Sequence, residues 1–363
     1  MMSEARYKER ITSIDGLRGI ACIGIMLFHF EDILIKNGIW IIDYAWIFVE
    51  VFFTISGFMM AYNYKERIPN MEFGTFFFKR YLSVMPLYWL TDICMWIAMI
   101  LGSAFSKRMV RIDSYTFLQV ILEFLGIFGG WKGETVNPLN GPLWTISSLL
   151  LCYVIFYIIC RISNNSKNRY SIIVYILFLS SLSIKLYLDE CDNLLLLYDK
   201  DTYMYLASFI MGLILYEIYT RVNNLGGKVL AIIYWIILLS ASVIIISEGM
   251  TDLSIMGKDT SIVAIFIFCP LTILSSLYIK SIRKILSTKV FCFLGAISMS
   301  VYMWHQVVRT YVGSRPLYLD QTTWLGFFTL IFSTLLVATI SKYVVEPRLK
   351  MMVDEVISLF VAE

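Results

Sequence analysis

Residues 13–30 read Ser-Ile-Asp-Gly-Leu-Arg-Gly-Ile-Ala-Cys-Ile-Gly-Ile-Met-Leu-Phe-His-Phe and decide how the chain is organised. They form an apolar helix candidate with Asp15 and Arg18 at its start and His29 near its far end. At about 100° and about 1.5 Å per residue, Arg18 and His29 lie roughly three turns and about 16 Å apart on one face. That is about half of a hydrocarbon core, where ionisable groups are costly and usually functional. The alternative is an arginine that marks the helix end and a histidine satisfied by a neighbouring helix.

Composition places the chain among integral membrane proteins. The 363 residues are 59% hydrophobic and 16% charged with a mean hydropathy of +0.74, whereas soluble domains average about 45–50% apolar and about 25% charged residues. A net charge of +3 gives no indication of nucleic-acid binding. Most of the seven cysteines fall in apolar segments without a C-x-x-C or Cys/His cluster, so neither a disulfide framework nor a metal site is expected. The N-terminus lacks a small-residue cleavage site and is interpreted as a retained first span.

Ten segments are long and apolar enough to cross a membrane. They are 14–35, 44–62, 84–102, 142–160, 171–188, 203–219, 229–247, 260–279, 290–310 and 324–344. The stretch 116–130 is shorter, and is either an eleventh span or an interfacial helix. With ten spans, basic residues concentrate on the side of the termini, apart from Lys107, Arg108 and Arg111, which is the positive-inside pattern. We therefore predict one domain over residues 1–363, an all-α bundle of ten transmembrane helices with both termini cytoplasmic.

Polar residues in the first two spans indicate a site with two ends. Arg18 near the cytoplasmic face suits a phosphate-bearing ligand, because a guanidinium fork matches phosphate oxygens. His29, deeper in the membrane, can accept a proton from a hydroxyl. Glu50 starts near the depth of His29 and could orient it; alternatively, it is an interfacial carboxylate in contact with headgroups. Ser56 and Gly57 indicate a close helix-packing step rather than a nucleophile.

Later motifs add further candidates. Lys79 and Arg80 precede the third span, where they either anchor the helix or join the arginine of the first span in an anion site. Trp144 follows a proline in a first helical turn at interfacial depth, which is ordinary membrane architecture. The ninth span carries Tyr302 and the second histidine, His305, which is either a catalytic partner or part of an interfacial aromatic belt.

These motifs occur in a characteristic order. They are Arg18-x10-His29 after Asp-Gly-Leu, Phe-Phe-x-x-Ser-Gly-Phe, the basic run before Pro86-Leu-Tyr-Trp, Pro-Leu-Trp144, Ile-Ser-x-Ser-x-Tyr-x-x-His305 and Val-Glu346-Pro347. From about residue 10 to 348 the chain resembles the membrane acyltransferase-3 family, bacterial enzymes that O-acylate cell-surface or exported sugars. The resemblance implies a ten-helix fold that takes an acyl group from cytoplasmic acyl-CoA and delivers it to an acceptor across the membrane. It also implies His29 as general base or acyl relay, with Arg18 and the basic pair on the CoA phosphates.

Two positions depart from the family pattern. The family usually has Arg-x-x-Arg before the Pro-Leu-Tyr stretch, and here Arg80 is followed by Ser83. The helix after Pro-Leu-Trp usually carries an acidic residue where this chain has Leu149. Glu50 or Glu123 could substitute for that acid, and a non-catalytic family member is another interpretation of the two departures. No fused periplasmic hydrolase-like domain is expected.

The predicted function is membrane O-acylation, with acetyl as the expected group, of a hydroxyl on a surface polysaccharide or its lipid-linked precursor. Acyl-CoA is the expected donor, a saccharide the acceptor, and the lipid bilayer of a bacterial inner membrane the location; neither a metal nor nucleic acid is expected. Succinyl or longer acyl groups fit the motifs equally well, and the oligomeric state is left open. A sugar-lipid transporter or flippase is the rival from another class, but the sequence lacks the paired repeats and matching broken helices that transporters often show.

Overall fold

The computed structural model describes residues 9–106, 117–127, 138–190, 200–222, 264–313, 319–320 and 322–361. All the regular elements in these ranges are helical, which confirms the all-α class. The α-helices are α1 Thr12–His29, α2 Asp32–Lys36, α3 Ile47–Tyr64, α4 Phe73–Tyr81, α5 Met85–Ser106, α6 Phe117–Phe124, α7 Trp144–Ser163, α8 Lys167–Glu190, α9 Lys200–Val222, α10 Cys269–Tyr278, α11 Lys280–Leu286, α12 Lys289–Gly313, α13 Trp324–Ile340 and α14 Glu346–Val361.

Seven helical stretches of the described residues are long and apolar enough to cross a membrane. They are Ile42–Tyr64, Phe73–Ile100, Gly141–Ser163, Lys167–Leu188, Asp201–Arg221, Lys289–Gly313 and Trp324–Glu355. An eighth candidate is the pair α10 and α11, bent by 89°. The predicted span 229–247 lies outside the described residues. The count of ten spans and the cytoplasmic side of the termini stay predictions.

The first predicted span, 14–35, is divided in the structure. α1 ends at His29, where the N–H of Phe30 donates to the carbonyl of Leu27 at 3.0 Å, and α2 begins only after Glu31. The 18 residues of α1 rise about 27 Å, slightly less than a hydrocarbon core of about 30 Å. The predicted span 14–35 therefore extends past the end of α1 and includes a tight turn and α2.

Two helix pairs at the centre of the bundle are joined at glycines. α1 packs along α12, where a Cβ on Gly19 would lie 2.6 Å from the backbone N of Gly295. α3 packs along α9, where a Cβ on Gly57 would overlap the carbonyl of Phe209. Backbones approach this closely only where the side chain is missing. The close-packing step predicted at Ser56 and Gly57 is confirmed at the glycine.

The outward faces of α8 and α13 are apolar. Leu325 and Phe332 on α13 are 70% and 68% exposed, and Ile176 and Leu179 on α8 are each 60% exposed. Large apolar surfaces of this kind are unfavourable in water and are the normal surface of a helix in lipid. The structure thus has the character of a multi-pass membrane protein.

Candidate active site

The two histidines of the chain lie together at one end of the bundle. His29, in the last turn of α1, stacks on His305 of α12 with ring centroids 4.9 Å apart and ring planes inclined by 30°. His305 is fully buried, whereas His29 is half-buried. A histidine in an interfacial belt would be exposed to headgroups, so the structure does not support the belt interpretation of His305.

Backbone carbonyls of α12 decide which nitrogen of His305 can act as a base. Nδ1 lies 2.7 Å from the carbonyl oxygen of Tyr302 and 3.3 Å from that of Val301. A carbonyl only accepts, so in the neutral ring Nδ1 carries the proton and Nε2 carries the lone pair. Nε2 is buried and has no hydrogen-bond partner among the described residues. The imidazole pair therefore contains one basic nitrogen that is not engaged by the protein.

Tyr302 connects the imidazole pair to the Pro-Leu-Trp motif. Its ring centroid lies 5.9 Å from that of His305. Its hydroxyl lies 2.6 Å from Oγ1 of Thr145 and donates to the carbonyl of Pro142 at 2.8 Å. Trp144, between these two in sequence, is the first residue of α7. The start of α7 is thereby held against the helix that carries the second histidine.

At its other end, α1 carries an ion cluster. Oδ2 of Asp15 accepts from Nε of Arg10 at 2.5 Å, and Oδ1 lies 3.4 Å from a guanidinium nitrogen of Arg18. Arg18 also donates to the carbonyl of Gly295 at 2.8 Å. Asp15 thus holds the Arg18 guanidinium from one side.

Arg18 lines a cavity of about 290 Å³. Arg80 of α4 and Lys342, just beyond the end of α13, line the same cavity, and so does Ser56 of α3. The hydroxyl of Ser56 donates to the carbonyl of Phe52 at 2.8 Å within its own helix, which is not the environment of an activated nucleophile. Three cations around one concavity make a site suited to phosphate groups.

The two cations of the predicted basic pair lie in different surroundings. Arg80 donates to the hydroxyl of Tyr64 at 2.5 Å, and its guanidinium lies 4.6 Å from the centre of that ring. Lys79 is exposed and is not part of the cavity lining. The hydroxyl of Ser83 donates to the carbonyl of Arg80 at 2.6 Å, so it closes the end of α4. The structure therefore brings Arg80 into the cavity and leaves Lys79 in the position of a helix anchor.

Glu50 is braced against another helix. It is fully buried, and its carboxylate accepts from the hydroxyl of Ser208 on α9. Within the described ranges, no hydrogen bond or ring contact joins Glu50 to His29. Its burial excludes contact with headgroups, and its predicted action on the histidine stays a prediction. Leu149, at the position where the family usually has an acid, lines the cation cavity as an apolar side chain.

Glu123 supports the site from outside. It lies on α6, an eight-residue helix within the stretch 116–130, of which residues 117–127 are described. Eight helical residues are too few to span a membrane. Glu123 is buried and accepts from the N–H of Leu139 at 2.8 Å. The next residue, Asn140, donates to the carbonyl of Met303 on α12 at 3.0 Å. Glu123 thus fixes the segment before α7 and has no direct contact with a histidine among the described residues.

The sequence interpretation missed the position of Lys342. Its Nζ lies 2.9 Å from Oε2 of Glu346, and Oε1 of that carboxylate accepts from the hydroxyl of Ser300 at 2.5 Å. The Val-Glu-Pro and Ile-Ser-x-Ser motifs therefore meet at one carboxylate beside the cavity. The four-residue spacing of Lys342 and Glu346 is the signal that could have indicated this pair.

Two stacked rings lie between the cavity and the histidines. Phe52 lines the cavity and stacks on Tyr302, with centroids 6.1 Å apart and planes inclined by 15°. Tyr302 in turn borders His305. This aromatic pair therefore forms a continuous line of contact between the cavity and the imidazole pair.

Residues 11–343 match the model of the acyltransferase-3 family, which is described as an acyltransferase domain. The matched range includes both ends of α1, the cation cavity and both histidines. No curated protein and no solved structure matches the chain.

Proposed function

The chain belongs to the acyltransferase-3 family of membrane acyltransferases, and from this premise we propose that it is an O-acyltransferase that uses cytoplasmic acyl-CoA. The proposed acceptor is a hydroxyl of a cell-surface or lipid-linked saccharide, and the proposed location is a bacterial inner membrane. Acetyl is the proposed acyl group and the first donor to test.

One observation carries this proposal. A single helix, α1, presents Arg18 to a cation-lined cavity at one end and His29 to a second imidazole at the other. The rise between these two residues is about 16 Å. Acyl-CoA has the same arrangement, with phosphates at one end and a reactive thioester at the end of a long flexible arm. The two ends of α1 therefore fit the two ends of one donor molecule.

At the cavity end, the cations bind the donor. Arg18, Arg80 and Lys342 are each held by a protein partner, so they present their remaining donors to a ligand in a defined direction. Charge-assisted hydrogen bonds to phosphate oxygens are stronger than neutral ones. Binding at this end places the arm toward Phe52 and Tyr302, and through them toward the histidines.

At the histidine end, the imidazole pair accepts one proton from the acceptor and passes it to the leaving group. A ring nitrogen takes the proton from the acceptor hydroxyl while the hydroxyl oxygen attacks the thioester carbonyl. The bond from carbonyl carbon to sulfur then breaks, and the departing CoA thiolate takes up the proton, which leaves an ester and free CoA. We assign the proton transfer to His29, because it is the more accessible of the two rings. His305 then holds the His29 ring in place by stacking against it. General-base catalysis contributes about 10²–10⁴-fold, so the positioning of donor and acceptor supplies much of the remaining rate.

The test is acyl transfer from labelled acetyl-CoA to native cell-envelope extract, with the protein in membranes. We compare the wild type with His29→Ala and Arg18→Ala at matched protein levels, and Lys79→Ala is the control for loss of a cation near the cavity. We expect transfer to be lost in His29→Ala, to need more donor in Arg18→Ala, and to be unchanged in Lys79→Ala. Undiminished transfer in His29→Ala would contradict the proposed mechanism. Binding of acetyl-CoA without transfer would instead indicate a non-catalytic member of the family.

A further inference from the structure

A second cavity with basic walls lies at the same end of the bundle as Arg18. Its volume is about 490 Å³. Its charged and aromatic lining consists of Arg10, Lys280, Arg283, Lys284, Glu9, Tyr62 and Tyr219. Four of these seven side chains are cations and two are phenol rings, a combination that fits a ligand with both negative charge and a flat ring.

The bend between α10 and α11 creates this cavity. The chain turns by 89° at Ile279, so that α11 packs beside the start of α1. The hydroxyl of Thr12 lies 2.8 Å from that of Ser287 and ties the end of α11 to α1. Without the bend, the cations of α11 would continue along the axis of α10. The bend instead brings them beside the tyrosine rings at the ends of α3 and α9.

The cations of α11 are available to a ligand. Lys280, Arg283 and Lys284 are exposed, and within the described ranges none of them forms a salt bridge. Lys280 lies three and four residues from the other two, and like charges at these spacings destabilise a helix. The positive-inside rule accounts for basic residues at this end of the chain, but it does not account for their position around a concavity with two aromatic rings.

The two basic cavities are neighbours. Asp15 bridges them, because it binds Arg10 of the second cavity and Arg18 of the first. On α3, two consecutive residues line the two cavities, Tyr62 the second and Asn63 the first. One elongated ligand with several phosphates can therefore occupy both.

We infer that the second cavity binds the adenosine 3′-phosphate end of the CoA donor, while the first cavity binds the diphosphate and the start of the arm. The 3′-phosphate contacts the cations of α11, and the adenine ring packs against Tyr62 or Tyr219. This inference rests on the proposed function, in which acyl-CoA is the donor. It adds a site for a part of the donor that Arg18, Arg80 and Lys342 do not reach.

The experiment compares CoA with 3′-dephospho-CoA, which lacks only the phosphate in question. Dissociation constants are measured on the full chain in neutral-lipid nanodiscs for the wild type and for the triple variant Lys280→Ala, Arg283→Ala, Lys284→Ala. We expect the wild type to bind CoA about 10-fold more tightly than 3′-dephospho-CoA, which is the size of effect for charge-assisted hydrogen bonds. In the triple variant the two ligands should bind equally weakly.

Two controls keep the result specific. Lys289→Ala removes an exposed cation near the same end of the bundle that does not line the cavity, and it should leave the preference for CoA intact. The single variant Arg283→Ala replaces the triple variant if the latter does not give a folded protein, and it should reduce the preference in the same direction.

The outcomes separate this inference from the proposed function. Equal binding of both ligands by the wild type, with unchanged CoA affinity in the triple variant, overturns the adenosine site and leaves the proposed donor in place. Absence of CoA binding in the wild type overturns both. If the triple variant binds CoA as the wild type does but less phosphatidylglycerol copurifies with it, the cavity is a lipid headgroup site, which also overturns the inference.

Discussion

The two ends of α1 hold their polar side chains in opposite surroundings. At the first end, Arg18, Arg80 and Lys342 line an open cavity, and each already has a partner from the protein. At the second end, His29 and His305 are stacked inside the bundle, and one buried nitrogen of His305 has no partner among the described residues. The first end is open to a charged ligand from water, whereas at the second end His305 is shielded from water and His29 is half-buried.

This difference indicates a division between binding and chemistry. Cations that are already oriented at an open cavity can bind and release a phosphate-bearing ligand readily, because few side chains have to rearrange when the ligand enters or leaves. At the second end, the burial of His305 strengthens the electrostatic interactions around the pair, and the half-buried ring of His29 stays within reach of a substrate hydroxyl. Each of the following changes affects one end or the connection between the two ends.

The largest expected effect comes from breaking the imidazole pair. His29→Gln should lower kcat by about 10²–10⁴-fold, which is the usual contribution of a general base, and His305→Gln should lower it in the same direction because it removes the ring on which His29 stacks. The double variant should be little worse than the more severe single variant, because residues that act as one unit do not have additive effects. The measurement is steady-state acyl transfer in nanodiscs, with CoA affinity as the control that should stay unchanged. Full additivity of the two losses would mean that the rings act independently.

The next largest effect is expected at the contact between α1 and α12, which connects the two ends. Gly295→Ala places a Cβ against the carbonyl of Asp15, where α1 and α12 are in closest contact. The overlap should destabilise the fold by about 1–3 kcal/mol, and it should disturb the stacking of His29 on His305 because both pairs lie on the same two helices. Thermal unfolding in detergent measures the first effect, and kcat measures the second.

Gly74→Ala is the matched control for this prediction. Gly74 lies on α4, and a Cβ there would meet nothing within 4 Å, so its unfolding temperature and activity should match the wild type or improve slightly. Equal behaviour of the two glycine variants would show that the contact at Gly295 does not hold the helices in register.

The smallest effect is expected at the cavity end. Arg80→Ala and Lys342→Ala should each raise KM for acyl-CoA by about 10-fold and leave kcat nearly unchanged, because they remove binding that is equal in the ground state and the transition state. Lys79→Ala should change neither constant, since its side chain lies outside the cavity. A fall in kcat without a change in KM would place these cations at the reaction itself, and the proposed separation of the two ends would then fail.

The sequence by itself determined the class of the protein, its family and the arrangement along α1. Hydropathy needs only local composition, so the membrane class and most spans were predictable. The period of the α-helix places Arg18 and His29 on one face whatever surrounds them. The motif order that indicates the acyltransferase-3 family is likewise a property of the chain and not of its packing.

Only the tertiary structure decided which side chains meet. His305 faces His29, Lys342 joins the cavity, Lys79 lies outside the cavity, and Glu50 is held by Ser208. These outcomes depend on how each helix is rotated about its own axis, which the glycine contacts between helices fix and a single helical period cannot. The turn after His29 and the bend at Ile279 act in the same way, because each redirects the chain at a point where the apolar pattern continues.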